Sequence, residues 1–369
     1  MKIVYFVHDL GDAAVERRAT LFIWGGGLPV LLGFHRASGA PADVSGVEPI
    51  ALGRTESGKL LRRVWSVAKA CLNRRVLYEY IKGGDVIVAR NLEMLMLAWW
   101  IRLSFPKPPP LIYECLDIHS KMLGNSLFSH GLRAIEHFLL KSVRSIIVSS
   151  PAFRDRYFTD QQHFARRIDL IENKTLETDE EPRNVFKPPE APPWVIGWFG
   201  IIRCRKSLAI LKTLVARVPN LQVLIAGKPA RDQLIDFEAE IANDPQIHFA
   251  GAYKQADLAK LYAKVHFTWA IDYFEEGHNS SWLLPNRLYE GGICGSLPIA
   301  LAGVETGRWL RARDAGVTVS HPEEDLPRFL LGLDREKYET LRARTLAIPT
   351  GDLVFTRQDA ETIVASLTA

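Results

Sequence analysis

Residues 283–300, LLPNRLYEGGICGSLPIA, predict a short helix between a loop and a buried strand. Pro285 suits the first turn of a helix and Asn286 can cap it, so together they predict the helix start. Gly295 predicts the helix end about two turns later, directly before the apolar run LPIAL. Such a helix points its unpaired N–H groups at the loop, where they attract anions. Glu290, about one turn inside, can accept hydrogen bonds from paired hydroxyls, so a nucleoside diphosphate fits this stretch. The alternative is an ordinary helix–strand unit with an exposed Glu.

The same alternation of strand and helix runs along most of the chain. KIVYFV at residues 2–7 predicts the first strand, and WVIGWFG restarts the alternation after a proline-rich stretch. Alternating strands and helices are typical of parallel sheets covered by helices on both faces. We therefore predict an α/β protein with two Rossmann-like domains that face each other across a cleft, at residues 1–175 and 194–353, joined by a linker at residues 176–193.

The composition is that of an ordinary globular protein. Of the 369 residues, 47% are apolar and 24% charged, which fits about two domains with substantial cores. The N-terminal MKIVYFVHDLGD reads as a first strand and not as a signal peptide. The longest apolar stretch, Met94–Ile101, is too short to span a bilayer. Four scattered cysteines predict a reducing cytoplasm and neither zinc nor disulfides: Cys71, Cys115, Cys204 and Cys294.

Charge is unevenly distributed along the chain. Residues 1–110 contain 15 Lys and Arg against 9 Asp and Glu, a net charge of +6; the remainder contains 31 against 33, a net charge of −2. Five cations share one helix predicted at residues 57–82, together with Trp65 and Leu72: Arg62, Arg63, Lys69, Arg74 and Arg75. This pattern fits a helix face that meets anionic lipid. A solvated surface is the alternative, and nucleic acid is a competing partner for which no motif is present.

A second anion-binding pattern opens the second predicted domain. In GWFGIIRCRKSL, Gly200 is expected to end a strand and Ser207 to begin a helix. The loop between them carries Arg203, Arg205 and Lys206. A glycine that lets the backbone approach, cations and a helix start together predict a diphosphate cradle. The alternative is a basic loop on a surface turn.

These stretches resemble the family 4 type of GT-B glycosyltransferases, whose donor-site helix usually reads PNKLxEYxAxGxPVVA. The best matches are residues 132–158, 195–227 and 246–304, and the resemblance covers nearly the whole chain. In that family the helix Glu, here Glu290, holds the ribose of a sugar nucleotide. A Lys six residues after the strand-end Gly, followed by a small residue, matches Lys206 here. The resemblance also implies that residues 354–369 form a helix that packs back on the first domain.

The resemblance assigns further residues to the donor site. The family's Arg usually follows the Gly directly, where this chain has Ile201, so Arg203 is the best substitute. Gly227 in AGKP and the FAGAY segment resemble family segments beside the nucleotide base, and ordinary turn glycines are the alternative for both. Asn279 and Ser280 offer hydrogen bonds to the sugar or the diphosphate, or else only shape their loop. The implied donor-binding set is Gly11, Arg203, Lys206, Gly227, Asn279, Ser280, Asn286, Arg287 and Glu290.

The implied acceptor side lies in the first domain. Asp117 and His119 are expected to end the strand LIYECLD, and they resemble the family's HD segment near the acceptor and the reactive sugar. A carboxylate there can take the proton of an acceptor hydroxyl, or the His can hydrogen-bond the donor sugar. The alternative is an Asp that caps a helix beside a structural His. His8 completes the candidate catalytic set, and Gly11 resembles the family's glycine loop between acceptor and donor phosphate.

Two arginines follow that loop on the first predicted helix, Arg17 and Arg18. They are candidates to meet the phosphate of a lipid-linked acceptor. A solvated helix face is the alternative for at least one of them.

One departure from the family pattern stands out. Family 4 commonly has a Glu-x7-Glu motif whose first Glu approaches the donor sugar, but eight residues before Glu290 this chain has Trp282. The chain therefore resembles the PNKLYEY subgroup, in which the first Glu is missing. The identity of the sugar and the choice between retention and inversion stay open.

The resemblance, together with the charge pattern, predicts a metal-independent glycosyltransferase with no DxD motif. It would move a sugar from a nucleoside-diphosphate sugar, expected to be a UDP-sugar, to a saccharide acceptor linked to polyprenyl diphosphate. The expected setting is bacterial exopolysaccharide or cell-envelope synthesis, with the protein in the cytoplasm and peripheral at the inner membrane. A sugar-nucleotide 2-epimerase of the same fold and a non-catalytic sugar-nucleotide-binding module are the alternatives.

Overall fold

The computed structural model describes residues 1–37, 39–55, 60–177 and 185–369, with only the backbone of residues 60–65. Within these ranges the chain divides into two compact units. The first unit consists of Met1–Glu172 with Phe355–Ala369, and the second consists of Asn173–Val354. Part of the predicted linker, residues 178–184, lies outside the described ranges.

A seven-stranded sheet forms the centre of the first unit in the described part of the chain. Its strands are β1 (Lys2–Val7), β2 (Leu28–His35), β3 (Ile50–Arg54), β4 (Val86–Arg90), β5 (Leu111–Cys115), β6 (Ser145–Val148) and β7 (Ile168–Leu170). Their order is β3-β2-β1-β4-β5-β6-β7, and all neighbours pair in parallel. The fully buried and mainly apolar runs of β4, β5 and β6 are typical of strands covered on both faces.

The helices of the first unit cover both faces of this sheet. They are α1 (Ala13–Trp24), α2 (Leu60–Leu72), α3 (Arg74–Ile81), α4 (Leu92–Arg102), α5 (Ser120–Leu123), α6 (Leu127–Leu140) and a π-helix at Phe153–Thr159. The chain moves from β1 toward β3 and later from β4 toward β7. Because parallel crossovers are right-handed, this reversal puts α1 on one face and α2, α3, α4 and α6 on the other. Contacts of α4 with α2, α3 and α6 agree with that arrangement.

The second unit repeats this architecture. Its strands are β8 (Thr175–Leu176), β9 (Trp194–Ile202), β10 (Leu221–Pro229), β11 (Ile247–Phe249), β12 (Phe267–Trp269), β13 (Leu297–Leu301) and β14 (Val317–Val319). A sheet of six parallel strands in the described residues has the order β11-β10-β9-β12-β13-β14. Its core is mainly aliphatic and includes the buried Trp194, Trp198 and Trp269.

Helices again follow the strands of this second sheet. They are α7 (Arg205–Arg217), α8 (Phe237–Ile241), α9 (Leu258–Tyr262), α10 (Asn286–Ile293), α11 (Glu305–Arg311), α12 (Pro322–Leu331), α13 (Arg335–Leu346) and α14 (Thr350–Leu353). The short strand β15 (Val354–Phe355) precedes the last helix, α15 (Arg357–Ser366). Helix α15 begins with a capping box between Thr356 and Asp359. It belongs to the first unit and packs on α1, where a Cβ on Gly25 would lie 2.3 Å from the Ala360 carbonyl oxygen.

Each sheet has a point where its strand order reverses, and α/β folds bind ligands beside such points. In the first unit the reversal lies between β1 and β4, and in the second between β9 and β12. The loops that leave these four strands therefore mark the edge of each unit where a ligand site is expected.

Two helix predictions differ from the structure. The helix predicted at residues 57–82 lies outside the described residues at 57–59, and its described part is divided into α2 and α3 at Asn73, whose ψ of 26° is not helical. The helix predicted at about residues 232–243 is reduced to α8. Turn hydrogen bonds from the N–H groups of Gln233 and Leu234 to the Ala230 carbonyl occupy the start of that segment.

Candidate functional site

Two glycines lie opposite each other near the carboxyl ends of β9 and β10. Gly200 and Gly227 are register partners, and their φ angles are +115° and +139°. A Cβ on Gly227 would lie 1.7 Å from the Gly200 carbonyl oxygen, so a side chain cannot be accommodated there. The strand continues to Ile202, beyond the end predicted at Gly200, because its pairing with β10 continues that far.

Helix α7 begins at Arg205 and not near Ser207, as the sequence had predicted. Cys204 is extended at the N-cap, and its Sγ accepts a hydrogen bond from the Ser207 N–H at 3.4 Å. Arg203 therefore lies in the loop, and Lys206 lies in the first helical turn. Because helix N-termini carry partial positive charge, Lys206 adds to a field that already favours anions.

Lys206 is held over an aromatic ring and paired with a carboxylate. Its Nζ lies 2.6 and 2.8 Å from the two Glu276 oxygens and 4.2 Å from the centroid of the Tyr273 ring. Both members of the ion pair are about half exposed. Exposed pairs of this kind contribute only about 0–1 kcal/mol, so another anion can replace the carboxylate at little cost.

Arg203 has a matching environment in the same segment. Its guanidinium lies 4.2 Å from the centroid of the Phe274 ring and 3.7 Å from Asp272 Oδ2. Arg205 instead pairs with Glu240 Oε1 at 2.9 Å. The structure thus separates Arg205 from the two cations that share the Asp272–Glu276 segment.

That segment is braced by a buried serine. The hydroxyl of Ser280 donates to Asp272 Oδ1 at 3.3 Å and accepts from the Glu275 N–H at 2.9 Å. Ser280 and Asn279 are both buried, in a 3₁₀-helix at Asn279–Ser281. Of the two roles open for Ser280 from sequence, loop shaping is the one that these contacts describe.

Helix α10 carries Glu290 and starts differently from the prediction. Pro285 occupies the N-cap position and Asn286 is the first helical residue, so the Asn side chain does not cap the helix. The predicted end is correct: Cys294 is the C-cap, and Gly295 follows with φ +76°. The reason for the shift is that Pro285, with ψ 147°, already has the extended conformation of a cap residue.

Glu290 is buried among aromatic side chains. The hydroxyl of Tyr262 lies 3.5 Å from Glu290 Oε2, and the Tyr262 ring packs edge-on against Phe199 at 4.9 Å. Burial raises the pKa of Tyr253 to about 12; the Glu290 charge adds to this shift and Arg287 opposes it. Glu290, Arg287 and Tyr253 therefore lie near one another, and Phe199 links this cluster to the strand that ends beside the Gly200 turn.

In the first unit, the loop after β1 is held by ionic contacts. Asp12 caps α1 by accepting from the Ala14 N–H at 2.9 Å. Its Oδ2 lies 3.8 Å from His8 Nε2 and 3.8 Å from an Arg90 nitrogen. Burial raises the pKa of the Asp12 carboxyl, but Arg90 and His8 outweigh that effect and lower the pKa below its usual value.

Beneath the loop lies a buried charge cluster centred on Glu114. This carboxylate accepts hydrogen bonds from Arg18 Nε at 2.6 Å, from Arg90 Nε at 2.9 Å and from the Tyr5 hydroxyl. Burial alone would raise the pKa of Glu114, but Arg90 and Arg18 outweigh it and bring the pKa to about 2. Arg18 is thereby occupied in the interior, which excludes its predicted contact with a lipid phosphate.

Asp117 and His119 lie beyond the strand that was predicted to carry them. Strand β5 ends at Cys115, whose last register partner is Val148 on β6, and Asp117 follows in an exposed loop. His119 is the N-cap of α5, where its Nδ1 accepts from the Lys121 N–H at 3.2 Å. In a neutral imidazole the proton then lies on Nε2, which can donate to a ligand.

No group of three or more His, Cys, Asp or Glu in the described ranges has the arrangement of a metal site. Among the same residues, none of the helices combines the length and apolarity that crossing a bilayer demands.

Comparison with known proteins decides the family. No family model matches the chain. The succinoglycan biosynthesis protein ExoL of Rhizobium meliloti (strain 1021) is 42% identical over 375 residues, covering 100% of this chain and 93% of that protein. The chain belongs to the ExoL family.

Solved structures similar to this ExoL-family protein are GT-B glycosyltransferases. Sucrose-phosphate synthase from Thermosynechococcus elongatus matches over 100% of this chain and 98% of its own, with a TM-score of 0.77 and 14% identity. HepE of Anabaena in complex with UDP and glucose matches over 99% and 98%, with a TM-score of 0.70 and 16% identity. The predicted fold class, α/β with two Rossmann-like domains of the GT-B type, is confirmed. Family and fold together support the predicted function, a glycosyltransferase in exopolysaccharide synthesis.

Sequence reasoning missed two sets of residues in this ExoL-family protein. One is Arg90 with the Glu114 cluster, for which an Arg at the end of the buried run VIVAR was an available signal. The other is the Asp272–Glu276 segment, whose acids and aromatics contact both Arg203 and Lys206. Its sequence, DYFEE, gives no sign of those partners because they are about seventy residues away along the chain.

Proposed function

We propose that this ExoL-family protein transfers a sugar from a nucleoside-diphosphate sugar, a UDP-sugar, to a saccharide acceptor during exopolysaccharide synthesis. The observation that carries the proposal is the pair of exposed cations, Arg203 and Lys206, at the start of α7 beside the glycine pair. They lie at the strand-order reversal of the second unit, where this fold class binds ligands. The complex of the similar protein HepE with UDP and glucose supports the same ligand class here.

The diphosphate would exchange with two carboxylates. Lys206 and Arg203 now pair with Glu276 and Asp272 at a partly exposed surface. A diphosphate brings more negative charge than one carboxylate and accepts charge-assisted hydrogen bonds worth about 1.5–3 kcal/mol each. The aromatic rings under the two cations keep them oriented during the exchange. In the reaction the same cations stabilise the charge that develops on the leaving diphosphate.

The nucleoside would bind along α10. Glu290 accepts hydrogen bonds from the ribose hydroxyls, and Arg287 and Asn286 lie at the helix start on the phosphate side. Gly227 leaves room for the base or ribose at the end of β10. This assignment matches the family 4 type of GT-B enzymes, and the absence of the first Glu of the Glu-x7-Glu motif, replaced by Trp282, matches the PNKLYEY subgroup.

The acceptor would bind at the loops of the first unit. Asp117, exposed after β5, takes the proton of the acceptor hydroxyl if the reaction inverts configuration. His119 donates from Nε2 to the transferred sugar. His8 and Gly11, on the loop braced by Asp12 and Arg90, contact the acceptor and the donor phosphate. Because cations and helix termini supply the positive charge, we propose that transfer requires no metal ion.

The acceptor is proposed to be a saccharide on a polyprenyl diphosphate, and the protein to work at the inner membrane surface. Basic residues of α2 and α3 support this location. Lys69 and Arg75 are exposed on these helices, and the predicted contributions of Arg62, Arg63 and Trp65 rest on side chains outside the described set. Anionic lipid attracts such clusters through its surface potential.

Calorimetric titration with UDP in the presence of EDTA tests the donor site. We expect Lys206→Ala to weaken UDP binding by about ten- to a hundredfold, because one charge-assisted contact is lost. Glu290→Ala should weaken it to a similar extent. Arg205→Ala is the matched control, since it removes a neighbouring cation that pairs with Glu240, and it should change affinity less than about twofold.

If Lys206→Ala and Arg205→Ala weaken UDP binding equally, Lys206 is not part of a specific diphosphate site. If the unaltered protein does not bind UDP at all, the proposed donor class is wrong. Incubation with a UDP-sugar alone addresses the epimerase alternative. Isomerisation of the sugar nucleotide without any acceptor would refute a transferase, whereas transfer of labelled sugar to a membrane extract would support one.

A further inference from the structure

Helix α6 exposes a row of large apolar side chains. Four of them form what we call the α6 face, with exposed fractions of 92%, 52%, 47% and 54%: Leu127, Phe128, Ile135 and Phe138. Phe128, Ile135 and Phe138 follow Leu127, the first helical residue, by one, eight and eleven residues, a spacing that places all four along one side of the helix. Contiguous exposed apolar surface of this kind marks an interaction site.

The fold of the first unit does not account for this row. The core side of α6 is provided by other residues, Ser129, Glu136, Leu139 and Leu140, which are buried. The helix therefore has one side that is buried in the unit and a separate apolar side that the unit leaves exposed. Replacing the outer row by polar residues would leave the core contacts of α6 intact.

The row continues onto the neighbouring helices. Phe138 packs edge-on against Trp99 of α4 at 5.4 Å, and α4 also exposes Trp100 and, just past its end, Leu103. The Trp100 ring lies under the Arg74 guanidinium, 5.0 Å from the ring centroid. Helices α3, α4 and α6 lie side by side on one face of the sheet, so their exposed aromatics form one surface.

Charge on this surface has one dominant sign. Residues 120–144 contain four cations, Lys121, Arg133, Lys141 and Arg144, and a single acidic residue, Glu136, which is buried. The Lys121 ammonium lies 5.8 Å from the Phe128 ring centroid, at the edge of the α6 face. A second copy of this surface would bring positive charge against positive charge. An anionic bilayer instead attracts the cations at the rim of the α6 face and accepts the apolar side chains at its centre.

We propose that the α6 face, with Trp100 and Leu103, inserts into the interfacial region of an anionic phospholipid bilayer. This inference rests on the proposed function only for its biological purpose, which is to bring the enzyme to a lipid-linked acceptor. The surface itself is defined by exposed side chains of the first unit and by their charge.

The docking surface is joined to the candidate acceptor loop. Helix α5 has His119 as its N-cap and lies directly before α6. Arg133 of α6 donates from one nitrogen to the carbonyl oxygens of Met122 and Gly124, both at 2.7 Å. These bonds tie α6 to α5, the helix that directly follows the loop of Asp117 and His119. Docking through α6 would thus set the height of that loop above the lipid headgroups.

Vesicle co-sedimentation tests the proposal with the full-length protein. The probes are vesicles of phosphatidylcholine with one-third phosphatidylglycerol and vesicles of phosphatidylcholine alone. The unaltered protein should bind the anionic vesicles more tightly, and high salt should weaken but not abolish binding, because apolar insertion is not screened. The double variant Leu127→Ser/Phe128→Ser should bind at least about tenfold more weakly, since two inserted side chains are lost.

The matched control is Ile235→Ser/Leu331→Ser, which removes two apolar side chains that are exposed on the second unit. It should bind vesicles like the unaltered protein. UDP binding should stay within about twofold in both double variants, which separates this proposal from the donor-site proposal.

Vesicle binding that is equal in both double variants would overturn the docking surface. So would a dimer in analytical ultracentrifugation that Leu127→Ser/Phe128→Ser converts to a monomer without any loss of vesicle binding. If UDP does not bind but vesicle binding still depends on the α6 face, the donor-site proposal is wrong and the docking surface is supported.

Discussion

The two units use charge in opposite ways. In the first unit, Glu114 is buried and satisfied by Arg18, Arg90 and Tyr5 beneath the loop after β1. In the second, Lys206 and Arg203 each contact one carboxylate and one aromatic ring at a partly exposed surface. Both clusters lie at the strand-order reversal of their sheet, yet only the exposed one can exchange its partners for a ligand.

The difference shows that position at the ligand-binding edge does not by itself identify a ligand-binding charge. Removing one member of the Glu114 cluster leaves another charge without compensation in a region that water does not reach. Breaking the Lys206–Glu276 pair leaves two groups that water or a phosphate can satisfy. Buried charges at this edge therefore stabilise the fold around the site, whereas partly exposed charges are available to bind a ligand.

The largest effect is expected for Glu114→Gln. This change leaves Arg18 and Arg90 buried without a carboxylate, so the free energy of unfolding of the first unit should fall by about 3–5 kcal/mol. Urea denaturation followed by far-UV circular dichroism measures it. Glu276→Gln, which breaks the exposed pair, is the control and should change the free energy by less than about 1 kcal/mol. A loss below about 1 kcal/mol for Glu114→Gln would remove the contrast between the two units.

A smaller effect concerns Glu136, a buried carboxylate that accepts hydrogen bonds from uncharged side chains. Burial raises the pKa of Glu136 to about 7, although hydrogen bonds from Tyr157, Tyr113 and Gln162 oppose the shift. Since the pKa in the folded state is above the unfolded value, the stabilisation is complete below about pH 4.5 and is lost as pH rises through 7. The shift corresponds to about 3 kcal/mol.

Denaturation of the first unit at a series of pH values from 4.5 to 7.5 measures this loss. Glu136→Gln should remove most of the pH dependence of the free energy of unfolding between pH 4.5 and 7.5, because a neutral amide does not titrate. The low pKa of Glu114, about 2, gives the opposite sign: its stabilisation is present above pH 4.5 and is lost only as pH falls through 2. If the free energy of unfolding of Glu136→Gln depends on pH as strongly as that of the unaltered protein, another group titrates in this pH range.

The smallest effect is a gain in ligand affinity. Glu276→Gln removes the carboxylate that competes with a diphosphate for Lys206, so UDP should bind about two- to fivefold more tightly, which corresponds to the 0.2–1 kcal/mol of an exposed pair. Titration calorimetry measures the UDP affinity. Glu240 pairs with Arg205, so Glu240→Gln is the control and should leave the UDP affinity unchanged. Weaker UDP binding in Glu276→Gln would mean that Glu276 itself contacts the ligand.

Much of the fold could be predicted from local sequence. Apolar runs such as KIVYFV and WVIGWFG became β1 and β9, and Gly295 ends α10 as expected. Predicted helix boundaries were less accurate where two adjacent residues can both be the N-cap. Pro285, and not Asn286, is the N-cap of α10, and Cys204 is the N-cap of α7, which therefore begins two residues before the predicted Ser207. Local propensity favours a helix in such segments but does not choose between adjacent residues that can both start it.

The site was predicted in part, because strand–glycine–cation–helix is a local pattern. The sequence by itself determined that Lys206 and Arg203 follow a strand, and that Glu290 lies inside a short helix. Only the tertiary structure decided that Arg18 is buried against Glu114 and that the acids of Asp272–Glu276 contact the cations. The physical reason is that burial and ion pairing depend on which strands become neighbours, and the order of strands in a sheet is set by packing of the whole unit.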